Sequence, residues 1–326
     1  MQTRRLAIRL LALGCSLVCL FGQSPAPALK KADIDRMMTE LSNWGRWGKE
    51  DQLGALNLIT DATRKRAVVL VKSGVSVSLA RQAEKNQAED NTSPFGYTML
   101  EREADSPYNS DAYQVAYHGY GHTHIDALCH IIYRGKMFNG FPATEVTRQG
   151  AGKLSVMSMR DGILGRGILM DIPELKGAAY LETDAAIYPQ DLEAWEKKAN
   201  IHIGAGDIVL IRTGRWKRRD EKGPWDVGRR SAGLHASCMR WLKQRDAAIL
   251  GSDAASDVIP SLVDGVRQPV HQLAIVAMGM PIFDNCDLER VSQLAKKMNR
   301  WEFMVTAAPL PVEGGTGSPF NPIATF

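Results

Sequence analysis

Four of the seven histidines of this chain fall within thirteen positions, in segment 117–130, Tyr-His-Gly-Tyr-Gly-His-Thr-His-Ile-Asp-Ala-Leu-Cys-His. His118, His122, His124 and Asp126 stand at positions of the same parity. In an extended strand such residues project from one face. The spacing therefore predicts three imidazoles and a carboxylate on that face. Neutral imidazole and carboxylate together suit zinc, manganese or iron.

The cysteines argue against a closed structural zinc site. Two of the five stand in the N-terminal apolar run, and Cys129, Cys238 and Cys286 lack Cys-x-x-Cys spacing. Without a nearby thiolate pair, the histidine segment predicts an open, reactive divalent ion. The alternative interpretation is that these histidines are only polar residues of an edge strand.

Residues 1–28 have the composition of an export signal. Three arginines precede the apolar run 10–21, and Ala-Pro-Ala at 26–28 resembles a small-x-small cleavage pattern. The twin arginine Arg4-Arg5 leaves the Sec and twin-arginine routes both open. Either route predicts a periplasmic or secreted protein. The apolar run is too short to span a bilayer, so we expect no membrane association after signal removal.

The charge of the remaining chain does not favour nucleic-acid binding. The net charge is +4, and three of these charges are signal-segment arginines. The basic residues Arg212, Arg215 and 217–219 are followed at once by Asp220 and Glu221. This pattern predicts a solvated loop after a strand and no nucleic-acid partner.

The pattern of the mature chain, residues 29–326, predicts one α/β domain. Short apolar runs at 207–212 and 246–250 are typical of buried strands. Apolar residues repeat every three or four positions in three further segments, which predicts helices that alternate with the strands. These residues are Leu192, Trp195 and Ala199; Leu234, Cys238, Trp241 and Leu242; and Leu288, Val291, Leu294 and Met298.

The segment 123–126, Thr-His-Ile-Asp, with His130 matches the spacing of a known signature, His-x-Gly-Thr-His-x-Asp-x-Pro-x-His. The sequence thus resembles the cyclase-like metal-dependent hydrolases, which include bacterial kynurenine formamidase and isatin hydrolase. The resemblance implies a single-domain swivelling β/β/α fold with a mixed sheet and flanking helices. It also implies one or two divalent ions, zinc or manganese. Other segments similar to the family follow in family order: 47–48, 51–57, 206–214, 251–253, 308–310 and 317–319.

The resemblance implies that His124, Asp126 and His130 are metal ligands. The chain departs from the signature because Tyr120 replaces its first histidine and His122 replaces its glycine. Proline before the last histidine is also replaced, by leucine. Either His118 or His122 is expected to supply the missing imidazole.

A second family segment pairs a histidine with a glutamate about a dozen residues later, both facing the metal. Here the resemblance places His271 and Asp284 at these positions. Aspartate is shorter by one methylene, so Asp284 either binds the metal directly or acts through water. His130, His271 and Asp284 are the candidates for proton transfer. The alternative for His271 is a buried histidine that caps a helix.

The predicted function is metal-assisted hydrolysis of a carbon–nitrogen or ester bond. A bound divalent ion lowers the pKa of water towards ~7 and polarises a carbonyl, which suits an amide, lactam or ester of a small substrate. Trp44 and Trp47 are predicted either to wall an aromatic substrate or to be plain packing. The alternative is an exported metal- or ligand-binding protein without turnover. The family resemblance also implies a homo-oligomer.

Overall fold

A mixed nine-stranded sheet forms the centre of the fold. The computed structural model of the chain describes residues 28–326, so the predicted export signal lies outside the described residues except for Ala28. Within the described range, every helix is too short or too polar to cross a bilayer.

The described residues, 28–326, contain fifteen strands and eight α-helices. The strands are β1 (Ser76–Ser78), β2 (Gly96–Met99), β3 (Asp111–Gln114), β4 (His124–Asp126), β5 (Val146–Thr147), β6 (Gly150–Ala151), β7 (Ile163–Asp171), β8 (Ala186–Ile187), β9 (Ile208–Arg212), β10 (Gly233–Leu234), β11 (Ile249–Ser252), β12 (Ile282–Asp284), β13 (Glu302–Ala307), β14 (Gly317–Pro319) and β15 (Ile323–Thr325). The helices are α1 (Lys31–Glu40), α2 (Asp61–Val69), α3 (Ile172–Lys176), α4 (Pro189–Ala199), α5 (Arg215–Lys222), α6 (Cys238–Gln244), α7 (Pro269–His271) and α8 (Glu289–Met298). A π-helical segment, Gln272–Ala277, continues α7.

The strand order of the large sheet is β1-β15-β13-β7-β9-β11-β12-β4-β14. Strands β7, β9, β11 and β12 pair in parallel, and the strands on either side pair antiparallel. This arrangement confirms the predicted α/β class with a mixed sheet and flanking helices.

The parallel centre of the sheet is buried on both faces. All five residues of β9 are buried, which explains the continuous apolar run in its sequence. Strand β7 packs so closely against β13 that a Cβ at Gly167 would lie 2.3 Å from Val305 Cγ2. Glycine is therefore required at this point of the central sheet.

Most of the predicted elements are confirmed. Helices α4 and α8 cover two of the three periodic segments, with Leu288 directly before α8. Strand β9 falls within the first apolar run, whereas β11 begins at Ile249 and overlaps the second run by two residues. The third segment is only partly helical, because Leu234 lies in β10 and helix α6 begins at Cys238. The strand β10 pairs with β8, so cross-strand pairing determines the conformation of Leu234.

The prediction of a solvated loop at the basic run was wrong. Arg212 ends β9 and Arg215 begins α5, and both side chains are buried. Arg212 lies 2.8 Å from an Asp171 carboxylate oxygen and 2.7 Å from one of Glu289. Buried arginine requires such carboxylate partners, and in the sequence these partners stand far from the basic run.

Arg212→Met removes the cation and leaves the carboxylates of Asp171 and Glu289 without their counter-charge. Breaking a buried ion pair costs about 3–5 kcal/mol, so we expect the free energy of unfolding to fall by about this amount in urea denaturation. The control is Arg218→Met, because Arg218 pairs with the exposed Glu182, and such pairs contribute at most about 1 kcal/mol. Equal losses in both variants would contradict the structural role of Arg212.

Candidate metal centre

The pairing of β4 with β12 brings three polar side chains to one face of the sheet. The two strands run antiparallel, with Asp284 opposite His124 and Ile282 opposite Asp126. Alternation along β4 places His124 and Asp126 on the same side, while Ile125 projects to the other side into the core. An imidazole and two carboxylates therefore meet in a buried environment.

The prediction of one extended segment from His118 to Asp126 was wrong in its first half. Only His124–Asp126 forms a strand, because the chain turns at Gly119, whose φ is +130°. The turn nevertheless brings the His118 Nδ1 atom to 3.1 Å from Asp126 Oδ1. The His118 ring stacks on His130, with centroids 3.8 Å apart and planes 3° from parallel.

His122 points away from this cluster. Its Nε2 atom lies 2.7 Å from the carbonyl oxygen of Ser93. Its own carbonyl lies 2.8 Å from His124 Nδ1, which leaves His124 Nε2 to face Asp126 at 3.4 Å. Of the two histidines that the sequence left open, the structure brings His118 to Asp126.

Asp126 belongs to two groups of possible ligands. One group is His118, Asp126 and His130, the other is His124, Asp126 and Asp284, and the ligand atoms within each group lie within 4.8 Å of one another. Both Asp126 Oδ1 and His118 Nδ1 are buried without a hydrogen-bond partner among residues 28–326. Buried polar atoms are otherwise almost always paired, and a divalent ion would satisfy both atoms. The donor set fits imidazole and carboxylate coordination.

His271 faces the same centre from the start of its helix. Its Nδ1 atom lies 2.6 Å from Asp257 Oδ2, and its Nε2 atom lies 3.1 Å from Asp284 Oδ2 and 3.7 Å from Asp126 Oδ2. Asp257 also accepts hydrogen bonds from the backbone N–H groups of Val270 and His271. The carboxylate of Asp257 thus fixes both the helix start and the imidazole.

The buried surroundings and the neighbouring charges shift the pKa values of Asp126 and His130. Burial alone would raise the pKa of Asp126, but the surrounding histidines, His130 first, outweigh burial and hold this pKa well below its ordinary value. Burial and the neighbouring imidazoles lower the pKa of His130 to about 4, although the charge of Asp126 opposes this. At neutral pH the Asp126 carboxylate is therefore ionised and the His130 imidazole is neutral, which are the forms that bind metal.

Some residues around the centre have no signature in the sequence. Thr316 Oγ1 lies 3.0 Å from His118 Nε2, and the Tyr117 hydroxyl donates to the carbonyl of Gly317 at 2.8 Å. Asp257 was missed too, although it contacts His271 directly. Each of these contacts depends on tertiary folding, so no local spacing in the sequence indicates it.

The two predicted substrate tryptophans make packing contacts. Trp44 donates its indole N–H to the carbonyl of Val276 at 2.7 Å, and its ring would contact a Cβ placed at Gly140. Trp47 is partly buried against the core beneath the guanidinium of Arg46. A substrate-binding role for either tryptophan stays a prediction.

A cavity of about 380 Å³ adjoins the centre on the side of His118. His118 and His130 are partly exposed, with 29% and 27% of their side-chain surfaces accessible, whereas His124, His271 and both site carboxylates are buried. The cavity is also lined by Tyr120 and Arg267. The histidine pair is therefore the accessible side of the centre.

Comparison with known proteins supplies a family. Residues 75–257 match the protein family described as "Putative cyclase". A solved structure described as a novel cyclase is 29% identical, with a TM-score of 0.80, and the alignment covers 87% of this chain and 99% of that chain. No curated protein matches the chain.

Isatin hydrolases share the fold at lower identity. Isatin hydrolase A from Ralstonia solanacearum is 22% identical with a TM-score of 0.56, over 77% of this chain and 91% of that chain. The enzyme of the same name from Labrenzia aggregata is 21% identical with a TM-score of 0.55, over 79% and 94%. Because the family match spans more than half of the sequence and includes the histidine segment, the chain belongs to the family described as cyclases.

Proposed function

We propose that the protein is a metal-dependent hydrolase that cleaves an amide, lactam or ester bond of a small substrate. The observation that carries this proposal is the buried carboxylate of Asp126, which two groups of possible ligands share. Its Oδ1 atom faces His118 Nδ1 with neither atom hydrogen-bonded among the described residues. Such an arrangement is costly without a cation.

The residues that would hold zinc or manganese, as one ion or two, surround this carboxylate. They are His118, His124, Asp126, His130 and Asp284. When bound, the ion would lower the pKa of water and polarise the substrate carbonyl.

His271 is placed to move a proton. Since Asp257 lies 2.6 Å from Nδ1, the N–H at this position is held by the carboxylate, and Nε2 is directed at Asp284 and Asp126. Burial alone would lower the pKa of His271, but the charges of Asp284 and Asp257 outweigh burial and raise it well above its ordinary value. A protonated histidine oriented in this way donates its Nε2 proton to a leaving nitrogen or oxygen and regains one from the attacking water. Asp284 would either bind the ion or relay this proton.

The cavity beside His118 suits a small organic substrate. Its volume of about 380 Å³ lies within the range of small-ligand pockets. The structural neighbours include isatin hydrolases, and one was solved with the product analogue thioisatinate. Isatin, a cyclic amide, and an N-formyl aromatic amine are therefore the first substrates to test.

We further propose that the protein is exported, on the strength of the signal-like residues 1–28, and that it assembles as a homo-oligomer. Fractionation of cells expressing the full-length protein would test export, and light scattering would test assembly.

The deciding experiment combines metal analysis with a hydrolysis assay on the same preparation. We expect bound zinc or manganese, turnover of an amide, lactam or ester, and loss of turnover with a chelator. Metal binding without turnover across such substrates would support the alternative of a binding protein. A folded protein without metal after growth in metal-rich medium would contradict the proposal.

His118→Ala should strip the protein of bound metal, because it removes the imidazole nearest Asp126 Oδ1. His122→Ala is the matched control and should retain metal, because His122 contacts Ser93 instead. Metal content after dialysis, measured by mass spectrometry, separates the two variants. Metal loss in the His122 variant alone would assign the position to His122.

His271→Gln should lower kcat by about 10²-fold or more while metal content is unchanged, since general acid–base catalysis contributes roughly 10²–10⁴. His235→Gln is the control, because His235 is also buried but contacts Ser237. Steady-state kinetics with metal analysis measures both. Loss of metal in the His271 variant would make His271 a ligand, and an unchanged kcat would remove it from the mechanism.

A further inference from the structure

The turn between His118 and the strand β4 is held by side chains from outside the turn. Asn285 donates from Nδ2 to the carbonyl of Gly119 at 2.7 Å and to that of His122 at 3.1 Å. Arg215 donates from Nη2 to the carbonyl of Tyr120. Three of the four carbonyls in 119–122 thus accept from two side chains.

Asn285 is itself fixed on both sides. Its Oδ1 atom accepts from Arg215 Nη1 at 2.6 Å, which leaves only the Nδ2 donors to face the turn. Its backbone carbonyl accepts from the Thr123 hydroxyl at 2.7 Å. Asn285 directly follows Asp284 in the sequence. The residue next to the β12 carboxylate therefore also holds the turn that carries His118.

Arg215 is anchored by the start of helix α5. The backbone N–H groups of Thr213, Gly214 and Arg215 all donate to the carboxylate of Asp253. The Arg215 side chain is buried, with Asp90 Oδ2 at 3.4 Å from Nη2. Burial lowers the pKa of Arg215 to about 10, although the charge of Asp90 opposes this.

The turn has little room to adopt another shape. A Cβ at Gly121 would lie 2.4 Å from Asn91 Oδ1, so the chain passes closely over this side chain. Gly119 has a φ of +130°, which residues with a side chain rarely adopt. Close packing over Asn91 and the backbone conformation at Gly119 therefore act together with the hydrogen bonds from Asn285 and Arg215 to hold the turn in one conformation.

We propose that Arg215 and Asn285 are positioning residues that set His118 against Asp126. They act on the backbone of 119–122, and neither belongs to the two groups of possible metal ligands. The inference rests on the proposed metal centre, because its consequence is the affinity for the ion. Substitution of residues that orient metal ligands without binding the ion typically lowers metal affinity or activity by about 10- to 100-fold.

The test compares three variants of the full-length protein. Arg215→Lys keeps the positive charge but cannot span Asn285 and Tyr120 with a planar fork. Asn285→Ser removes the two donors to the turn. Arg212→Lys is the matched control, since Arg212 is a buried arginine of the same region that pairs with Asp171 and Glu289.

Two quantities are measured on each variant: the dissociation constant for Zn²⁺ by competition with a chromogenic chelator, and the thermal midpoint of the metal-free protein. We expect Arg215→Lys and Asn285→Ser to raise the dissociation constant about tenfold or more. Arg212→Lys should keep the dissociation constant within about twofold of the parent value, even if its thermal midpoint falls as far as those of the two site variants. If one site variant does not fold, the other gives the answer.

The inference is overturned if both folded site variants bind Zn²⁺ as tightly as the parent. It is overturned too if Arg212→Lys weakens binding equally, since the effect would then follow general stability. A parent protein that binds no Zn²⁺ would contradict the proposed metal centre instead. The two failures are therefore distinguishable.

Discussion

The buried carboxylate of Asp126 is the constraint on which the arrangement of the centre depends. An ionised carboxylate in an apolar interior requires compensating partners, and here four histidines surround it, three from the segment 117–130 and His271 from far along the chain. Three of these histidines have supports of their own. Pairing with β12 positions His124, hydrogen bonds from Asn285 and Arg215 hold the turn beside His118, and Asp257 orients His271. Much of the surrounding architecture can be understood as the means of holding these imidazoles around one carboxylate.

The parallel strands explain why the supporting residues converge. Strands β9, β11 and β12 are parallel neighbours, so their carboxyl ends meet at one edge of the sheet. Arg215 follows β9, Asp253 and Asp257 follow β11, and Asp284 ends β12. Ligand sites in open α/β sheets commonly form at this edge. The antiparallel strand β4 then enters beside β12 and adds the histidine segment.

The sequence predicted those parts of the site whose geometry follows from the spacing of neighbouring residues. His124 and Asp126 share a face because β4 is extended, and alternation in the sequence indicates this. His118 reaches the same carboxylate through a turn that depends on Asn285 and Arg215, so the strand interpretation failed there. Likewise, the helical periodicity of α8 is local and was visible, whereas the buried charge pairs of the basic run depend on partners distant in sequence.

The candidate metal centre joins two distant parts of the polypeptide. The hydrogen bond between Asn285 and the His122 carbonyl already bridges 163 positions, and the ligand groups span a similar separation. A cation shared by Asp126 and Asp284 would act as a reversible crosslink and restrict the unfolded chain if retained there. If the ion binds the folded state preferentially, the resistance of the protein to unfolding would depend on the free metal concentration. In a compartment where metal supply fluctuates, the lifetime of the protein would follow that supply.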